Sequence, residues 1–159
     1  MSTPILVPRK NMNILLLGGS GFIGTHVANR LTAAGHRLTV PTRRWAHARH
    51  LTVLPTCDIE ETDIFNDAAL DHLMAGQDAV VNLIGILHGS QAAFTRTHVE
   101  LPRRVVAAGV KHGAHRLLHM SALGAAADSP SIYQRTKAAG EAAVMSAPLE
   151  WTVFRPSVI

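Results

Sequence analysis

The sequence contains very little cysteine and no long apolar segment. Cys57 is the only cysteine among 159 residues, which excludes an internal disulfide and any metal site built from several thiolates. No uninterrupted apolar run approaches the roughly 18 to 20 residues that a membrane-spanning helix needs. We therefore expect a chain of one-domain size without a transmembrane segment, in a reducing, cytoplasmic setting.

Aromatic side chains are also scarce: four phenylalanines, two tryptophans and one tyrosine. So few rings do not provide the stacking platforms on which single-stranded nucleic acids bind, and we expect no nucleic-acid partner. The net charge of +4 is compatible with an anionic ligand or with a peripheral position at the inner face of a membrane. It is equally compatible with an ordinary solvated surface.

Short apolar runs alternate with helix-like segments along most of the chain. Residues 1–12 include Pro4 and Pro8, which predict an irregular N-terminal lead-in. The apolar runs are continuous, as is typical of parallel strands covered on both faces. Residues 13–159 therefore predict a Rossmann-type α/β fold, a doubly wound α/β/α sandwich with strand order 3-2-1-4-5-6. The predicted strands are 13–17, 37–40, 51–54, 79–84, 116–120 and 151–154, and the predicted helices are 22–34, 66–75, 92–111 and 131–146.

A glycine-rich loop joins the first predicted strand to the first helix. Gly18, Gly21 and Gly24 form a G-x-x-G-x-x-G pattern. Gly18 allows a sharp turn out of the strand, Gly21 leaves room for a pyrophosphate beside the backbone, and Gly24 lets the helix lie close to the sheet. The N-terminus of the helix then offers free N–H groups and a positive dipole to phosphates. The pattern in this position predicts a dinucleotide site.

Acidic residues are absent from Gly18 through Cys57. A site that prefers NAD usually has a carboxylate at the end of the second strand, where it accepts hydrogen bonds from the ribose 2′-hydroxyl. Here Arg43 and Arg44 stand in that region, and guanidinium groups pair with a 2′-phosphate. We expect NADP(H) to be preferred, with NAD(H) as a possible cofactor. The alternative interpretation is a basic surface loop.

Asp63 and Ile64 follow the third predicted strand. One interpretation is that Asp63 binds the adenine amino group while Ile64 covers the ring. The other is that Asp63 caps the next turn. The sequence does not distinguish these two roles.

Tyr133 and Lys137 are four residues apart in the last predicted helix, so both project from one face. An ammonium group beside a phenol lowers the pKa of the phenol, which can then act as a general acid or base at a substrate alcohol or carbonyl. Ser121 follows the fifth predicted strand, at the sheet edge where ligands bind in open α/β folds. Its hydroxyl could orient a carbonyl.

These motifs together resemble the short-chain dehydrogenase/reductase superfamily, and most closely its extended and atypical branch, the NAD-dependent epimerase/dehydratase family. Three strings are further similar to the NAD(P)-binding accessory subunits of respiratory complex I and their bacterial relatives: Val81–Gly85, His119–Leu123 and Lys137–Glu141. The resemblance covers residues 13–159.

The resemblance implies a role for each matching residue. Tyr133 would be the acid/base, Lys137 its partner, and Ser121 the hydroxyl that orients the substrate. Pro156 and Ser157 would lie near the nicotinamide. The remaining cofactor-binding positions would be Gly18, Ser20, Gly21, Phe22, Ile23 and Gly24 at the pyrophosphate, and Leu83, Ile84 and Gly85 on the adenosine and ribose side.

The sequence also departs from the family pattern. His98 and Glu100 occupy a region in which many members have an asparagine, and Ser121 and Tyr133 are only twelve residues apart. Extended members continue beyond the position of Ile159 into a substrate-binding lobe. We therefore expect a Rossmann domain without that lobe, which would leave the isolated chain inactive.

Two functions remain open from the sequence. In the first, the domain serves an oxidoreductase or a nucleotide-sugar epimerase/dehydratase, with an unknown small-molecule substrate and with Tyr133 and Lys137 transferring the proton. In the second, it binds NADPH without turnover and stabilises or regulates a membrane assembly similar to complex I. A protein partner or a homo-oligomer is compatible with both. The ten histidines lack a metal-binding motif, so we expect no metal site.

Overall fold

The fold is built on a central sheet of six parallel strands. The computed structural model describes residues 11–157. Its strand order, β3-β2-β1-β4-β5-β6, confirms the predicted doubly wound α/β class. The predicted lead-in, residues 1–12, falls outside the described residues except for positions 11 and 12. The strands are β1 Asn13–Leu17, β2 Arg37–Thr42, β3 Cys57–Glu61, β4 Ala79–Asn82, β5 Arg116–Met120 and β6 Glu150–Phe154.

Helices cover both faces of this sheet. A single 3-10 turn, Arg49–Val53, follows the second helix, and a π-helical turn, Arg96–Glu100, joins the fourth helix to the fifth. The α-helices are α1 Phe22–Ala33, α2 Trp45–Ala48, α3 Asp67–Met74, α4 Gln91–Thr95, α5 Leu101–His112 and α6 Ile132–Met145.

Strand β1 divides the apolar core into two layers. Leu15 and Leu17 pack on the side of α3, α5 and α6, whereas Ile14 and Leu16 pack on the side of α1 and α2. All four side chains are at most 4% exposed, because successive residues of a strand point to opposite faces and both faces are covered here. This burial accounts for the uninterrupted apolar sequence of β1.

The third strand lies further along the chain than the sequence predicted. Residues 51–54 were expected to form it, but they belong to the 3-10 turn and its end. The true strand, Cys57–Glu61, pairs with β2 at the edge of the sheet. An edge strand is covered incompletely, so it carries acidic residues rather than an apolar run. The apolar run at 51–54 instead places Leu51 in the core beside α2.

The helical run from Gln91 to His112 contains a change of pitch before Pro102. The amide of Leu101 donates to the carbonyl of Arg96, five residues earlier, as in a π-turn. Proline has no N–H group, so Pro102 cannot bond the carbonyl of His98, four residues before it. Helix α6 approaches the same carbonyl at Gly140, where an added Cβ would lie 1.9 Å from it. The run is continuous, as predicted, but locally unwound.

The parallel pairing brings the carboxyl ends of all six strands to one edge of the sheet. The chain leaves β1 towards β2 on one side and returns to β4 on the other. Open α/β sheets bind their ligands at such a reversal point, outside the carboxyl ends of the strands. The crevice between β1 and β4 is therefore the expected ligand site.

Candidate functional site

The glycine loop between β1 and α1 has the geometry that its sequence predicts. Gly18 has φ +82°, a conformation that side chains with a Cβ rarely adopt. A Cβ at Gly24 would lie 2.1 Å from the carbonyl oxygen of Gly18. Only glycine therefore allows the first turn of α1 to lie against the loop.

The N-terminus of α1 is open towards the crevice. Gly21 is its N-cap residue, and no side chain of the described residues caps this helix. A Cβ at Gly21 would meet only the carbonyl oxygen of Gly18, at 3.3 Å. A helix end with free N–H groups, a positive dipole and space in front of it fits a phosphate group.

A first cavity, of about 380 Å³, lies beside this loop. Arg43 and His47 contribute basic side chains to it, whereas Arg44 is not among its lining residues. The predicted cofactor residues that line it are Gly18, Ser20, Gly21, Ile64, Leu83, Ile84 and Gly85. Of the remaining loop residues, Phe22 is 75% exposed and Ile23 borders the second cavity described below.

A carboxylate that sequence analysis missed lies close to the two arginines. Glu61 ends β3 and is aligned with Thr42, the last residue of β2. Its side chain accepts a hydrogen bond of 2.6 Å from the amide of Trp45, at the start of α2. The carboxyl ends of β2 and β3 therefore carry an acidic side chain as well as basic ones, although no acid occurs from Gly18 through Cys57. The misplacement of the third strand concealed this neighbour.

Asp63 and Ile64 have separate structural roles. The side chain of Asp63 accepts a hydrogen bond of 3.0 Å from the amide of Phe65, which is the capping interaction that we considered. Ile64 is buried and lines the first cavity. The carboxylate of Asp63 is not among the groups that line the cavity, so its proposed contact with adenine stays a prediction.

A second cavity, of about 510 Å³, continues the crevice towards β5 and β6. It shares Leu83, Gly85 and Ile86 with the first cavity. The structure brings together here the three predicted catalytic residues and the two predicted nicotinamide neighbours: Ser121, Tyr133, Lys137, Pro156 and Ser157.

Local structure explains this convergence. Ser121 follows β5 directly, and its amide donates to the carbonyl of Phe154 at the end of β6. Helix α6 begins after Ser131, whose side chain accepts a hydrogen bond from Gln134. The Nζ of Lys137 then donates to the carbonyl of Met120, at 2.5 Å. This bond fixes α6 over the end of β5.

The sequence predicted a lowered pKa for Tyr133, and this prediction is wrong for the geometry of the structure. Burial raises the pKa of Tyr133, although a neighbouring ammonium was expected to lower it. Lys137 is only 4% exposed, and burial lowers its pKa to about 8, against the opposite influence of Glu141. At Tyr133 the burial of the phenol therefore outweighs any effect of the ammonium on its pKa.

An ion pair joins a buried carboxylate to a guanidinium whose side chain is 53% exposed. Glu141 is 5% exposed, and Arg155 binds both of its carboxylate oxygens. These bonds hold the pKa of Glu141 below its ordinary value. The pair links α6 to the segment after β6, which carries Pro156 and Ser157. Because the carbonyl of Pro156 also accepts from the amide of Leu123, this segment is fixed against the cavity.

Ser121 has a buried hydroxyl without a hydrogen bond among the described residues. The Glu141 carboxylate is near enough for this hydroxyl to contribute to its lowered pKa, but the geometry falls short of a hydrogen bond. A buried polar group that lacks a partner is costly. Ser121 as a residue also lines the second cavity, although its hydroxyl oxygen is itself buried.

Two buried histidines complete the polar surroundings, and motif analysis assigned neither a role. His119 precedes Ser121 by two residues, and its Nδ1 lies 3.3 Å from the side-chain amide of Asn82. His98 lies in the π-turn, with hydrogen bonds at both ring nitrogens. Burial lowers the pKa of each to about 4, and Lys137 adds to the effect. Both imidazoles are therefore neutral near pH 7.

The described residues hold no group of three or more histidine, cysteine or acidic side chains arranged for a metal ion. Between residues 11 and 157, no helix combines the length and apolar character needed to cross a bilayer.

Fold and site together define a Rossmann-type α/β domain with an open crevice at the carboxyl ends of its strands. The family model "NAD dependent epimerase/dehydratase family" matches residues 14–150, and the chain belongs to this family. This membership confirms the predicted resemblance.

Known proteins agree with this assignment. The NADH-ubiquinone oxidoreductase 40 kDa subunit of Neurospora crassa is 31% identical over 146 residues, which are 89% of this chain and 39% of that protein. A putative NAD-dependent epimerase/dehydratase from Bacillus halodurans superposes with a TM-score of 0.82 at 21% identity, covering 92% of this chain and 71% of the other. The Bordetella bronchiseptica enzyme WbmG in complex with NAD gives a TM-score of 0.78 at 24% identity, with 94% and 55% covered.

The chain spans about two fifths of the length of curated relatives that it matches. The two solved structures are less than 25% identical to this chain, so the likeness establishes the fold alone.

Proposed function

We propose that this chain is an NAD(P)(H)-binding domain whose dinucleotide lies across the crevice from the first cavity to the second. The observation that carries the proposal is the open N-terminus of α1 above Gly21, between two cavities that share Leu83, Gly85 and Ile86. The pyrophosphate would bind at the helix end, adenosine in the first cavity and nicotinamide in the second.

The preference for NADP(H) is assigned to Arg43 rather than to both arginines. Arg43 lines the first cavity and Arg44 does not, so only the first is placed to pair with a ribose 2′-phosphate. A guanidinium–phosphate pair is strong because both partners are charged.

The test is the affinity for NADPH and NADH, measured by calorimetry and by thermal shift. We expect tighter binding of NADPH, and Arg43→Gln should weaken NADPH at least about tenfold while leaving NADH unchanged. Arg44→Gln is the matched control and should change neither affinity. Equal affinities of the unmodified chain for both nucleotides would overturn the preference, and absence of binding would overturn the proposal.

The second cavity supports oxidoreduction at a hydroxy or keto substrate. A bound nicotinamide would supply or accept hydride at a substrate carbon. Tyr133 would exchange the proton with the substrate oxygen, Ser121 would orient that oxygen, and Lys137 would support the phenol and bind the nicotinamide ribose. An ammonium group has three N–H donors, so Lys137 can bind the cofactor while it keeps its bond to the carbonyl of Met120.

A second candidate is a non-catalytic role, in which the bound NADPH stabilises or regulates a protein assembly similar to complex I. The specific support comes from the relatives, several of which are subunits of mitochondrial NADH dehydrogenase. The raised pKa of Tyr133 also favours binding without turnover.

Tyr133→Phe distinguishes the two candidates. If the domain is catalytic, NADPH consumption with a panel of ketones and aldehydes should fall at least about a hundredfold while NADPH affinity stays the same. Turnover that is measurable in the unmodified chain and unchanged in Tyr133→Phe would exclude the acid/base role. If neither protein turns over while both bind NADPH, the non-catalytic role is favoured.

A further inference from the structure

His98 occupies the junction of three structural elements. It lies in the π-turn between α4 and α5 and is 2% exposed. Its Nε2 is 3.0 Å from the backbone amide of Ile86, in the loop after β4. Its Nδ1 is 3.0 Å from the Oγ1 of Thr136, the fifth residue of α6.

The partners of His98 determine its tautomer. A backbone N–H can only donate, so Nε2 must accept from Ile86 and cannot carry a proton. The single ring proton therefore resides on Nδ1, which donates to Thr136. The hydroxyl of Thr136 then donates in turn to the carbonyl of Ile132 or Tyr133, each at 3.0 Å. The result is a directed chain of hydrogen bonds from the loop to α6.

Each end of this chain of bonds is part of the candidate site. Ile86 and its neighbour Gly85 line both cavities, so they form the wall where the two cavities meet. At the other end, the ring of Tyr133 stands edge-on to that of His98, with 5.4 Å between the centroids. A shift of His98 would therefore move the cavity wall and the phenol together.

We propose that His98, as the neutral Nδ1–H tautomer, is a positioning residue that fixes the Gly85–Ile86 wall relative to Tyr133. This inference rests on the proposed function, because the wall matters through the dinucleotide that lies against it.

The charges around His98 favour the neutral ring. Lys137 and Tyr133 face it from α6, His119 contributes from β5, and the π-turn itself carries Arg96 and Glu100. Burial first and Lys137 second lower the pKa of His98 to about 4. A protonated ring would lose its acceptor for the Ile86 amide, so the bond is kept throughout the neutral pH range.

The direct test is nitrogen-15 NMR of the imidazoles in the full chain, without nucleotide. We expect His98 to show a protonated Nδ1 and an unprotonated Nε2 at pH 7, and the amide of Ile86 to exchange slowly with solvent. Thr136→Val removes the acceptor of Nδ1 but keeps the branched shape, so the tautomer should persist in a folded protein while the Nδ1 proton exchanges faster with solvent. A protonated Nε2 in the unmodified chain would overturn the inference.

The functional test compares two phenylalanine variants. His98→Phe keeps a ring but removes both hydrogen bonds, and we expect NADPH to bind at least about tenfold more weakly. His98→Gln retains an acceptor for Ile86 and should recover most of the affinity. His36→Phe is the matched control, because His36 also accepts from a backbone amide, that of Met12, at the opposite edge of the sheet.

The outcomes separate the two proposals. Unchanged NADPH affinity in a folded His98→Phe would overturn the positioning role while leaving the binding function intact. Failure of the unmodified chain to bind any dinucleotide would overturn the proposed function. In that case the NMR measurement still decides whether His98 holds the wall, because it requires no ligand.

Discussion

Gly24 determines how closely the first helix approaches the glycine loop. The space for its side chain is filled by the backbone of Gly18 and Gly19, with an added Cβ at 2.1 Å and 2.5 Å from their nearest atoms. Backbone atoms of a tight turn cannot rotate aside as a flexible side chain can. The identity of this one residue therefore determines where the N-terminus of α1 lies, which is the proposed phosphate site.

Gly24→Ala should destabilise the chain by more than about 2 kcal/mol, because the clash has no flexible partner to absorb it. Helix propensity alone would favour alanine by about 1 kcal/mol. Urea unfolding measures the free energy, and calorimetry should show that NADPH binding is weakened as well.

Gly109→Ala is the matched control for this substitution. It lies inside α5, where an added Cβ would be 3.4 Å from Leu149, which is ordinary contact. We expect stability to be unchanged or slightly increased. Equal effects of the two substitutions would mean that the loop and α1 are not packed as described.

The residues that sequence could assign are those that belong to a spaced motif. The three glycines of the loop and the Tyr133–Lys137 pair are recognisable because their proposed roles require fixed spacing along one turn or one helix face. The hydrogen bonds of His98 join partners 12 and 38 residues away. Contacts between residues this far apart in sequence do not follow from a spaced motif, so they are found only in the folded structure.

At the scale of elements, the sequence predicts central strands better than edge strands. Strand β1 contains four consecutive buried apolar residues. Strand β3, with the sequence Cys-Asp-Ile-Glu-Glu, lies at the edge of the sheet and pairs with β2 alone. The apolar run at 51–54 was a stronger signal than the true strand, although its residues pack as a 3-10 turn. Edge strands avoid apolar sequence because an exposed apolar edge promotes association.

The true position of β3 also changes the interpretation of the region around Arg43 and Arg44. With β3 at Cys57–Glu61, Glu61 comes level with Thr42, and a carboxylate lies near Arg43 and Arg44. Its hydrogen bond to the amide of Trp45 stabilises the start of α2. The pairing of two strands, rather than the local sequence of either, determines which charges a ribose phosphate would meet.

At the scale of the whole molecule, ionisable groups are concentrated beneath one end of the crevice. His98, His119, Lys137 and Glu141 are each at most 5% exposed. Only Glu141 has an oppositely charged partner in direct contact, Arg155. Burial of the other three depresses the pKa of each towards the neutral form, so the fold favours neutral histidines and destabilises their protonated forms.

The two histidines predict a loss of stability in mild acid. Their pKa falls from 6.5 in the unfolded chain to about 4 in the folded one, so the unfolded chain binds more protons between these values. Stability is then complete above about pH 6.5 and decreases as the pH falls towards 4. The depression corresponds to about 3 kcal/mol for each histidine taken alone, a large share of the about 5 to 15 kcal/mol that stabilises a typical domain.

Urea unfolding at intervals from pH 8 to pH 4 measures this dependence. The double variant His98→Gln, His119→Gln should have a markedly shallower decrease between pH 6.5 and pH 4.5, whatever its stability at pH 8. His115→Gln is the control, because His115 is exposed and should leave the slope unchanged. Below about pH 4.5 all the proteins should lose further stability as Glu141 becomes protonated, since its folded-state pKa is depressed. An equally steep decrease in the double variant above pH 4.5 would show that the buried histidines are not the groups that titrate.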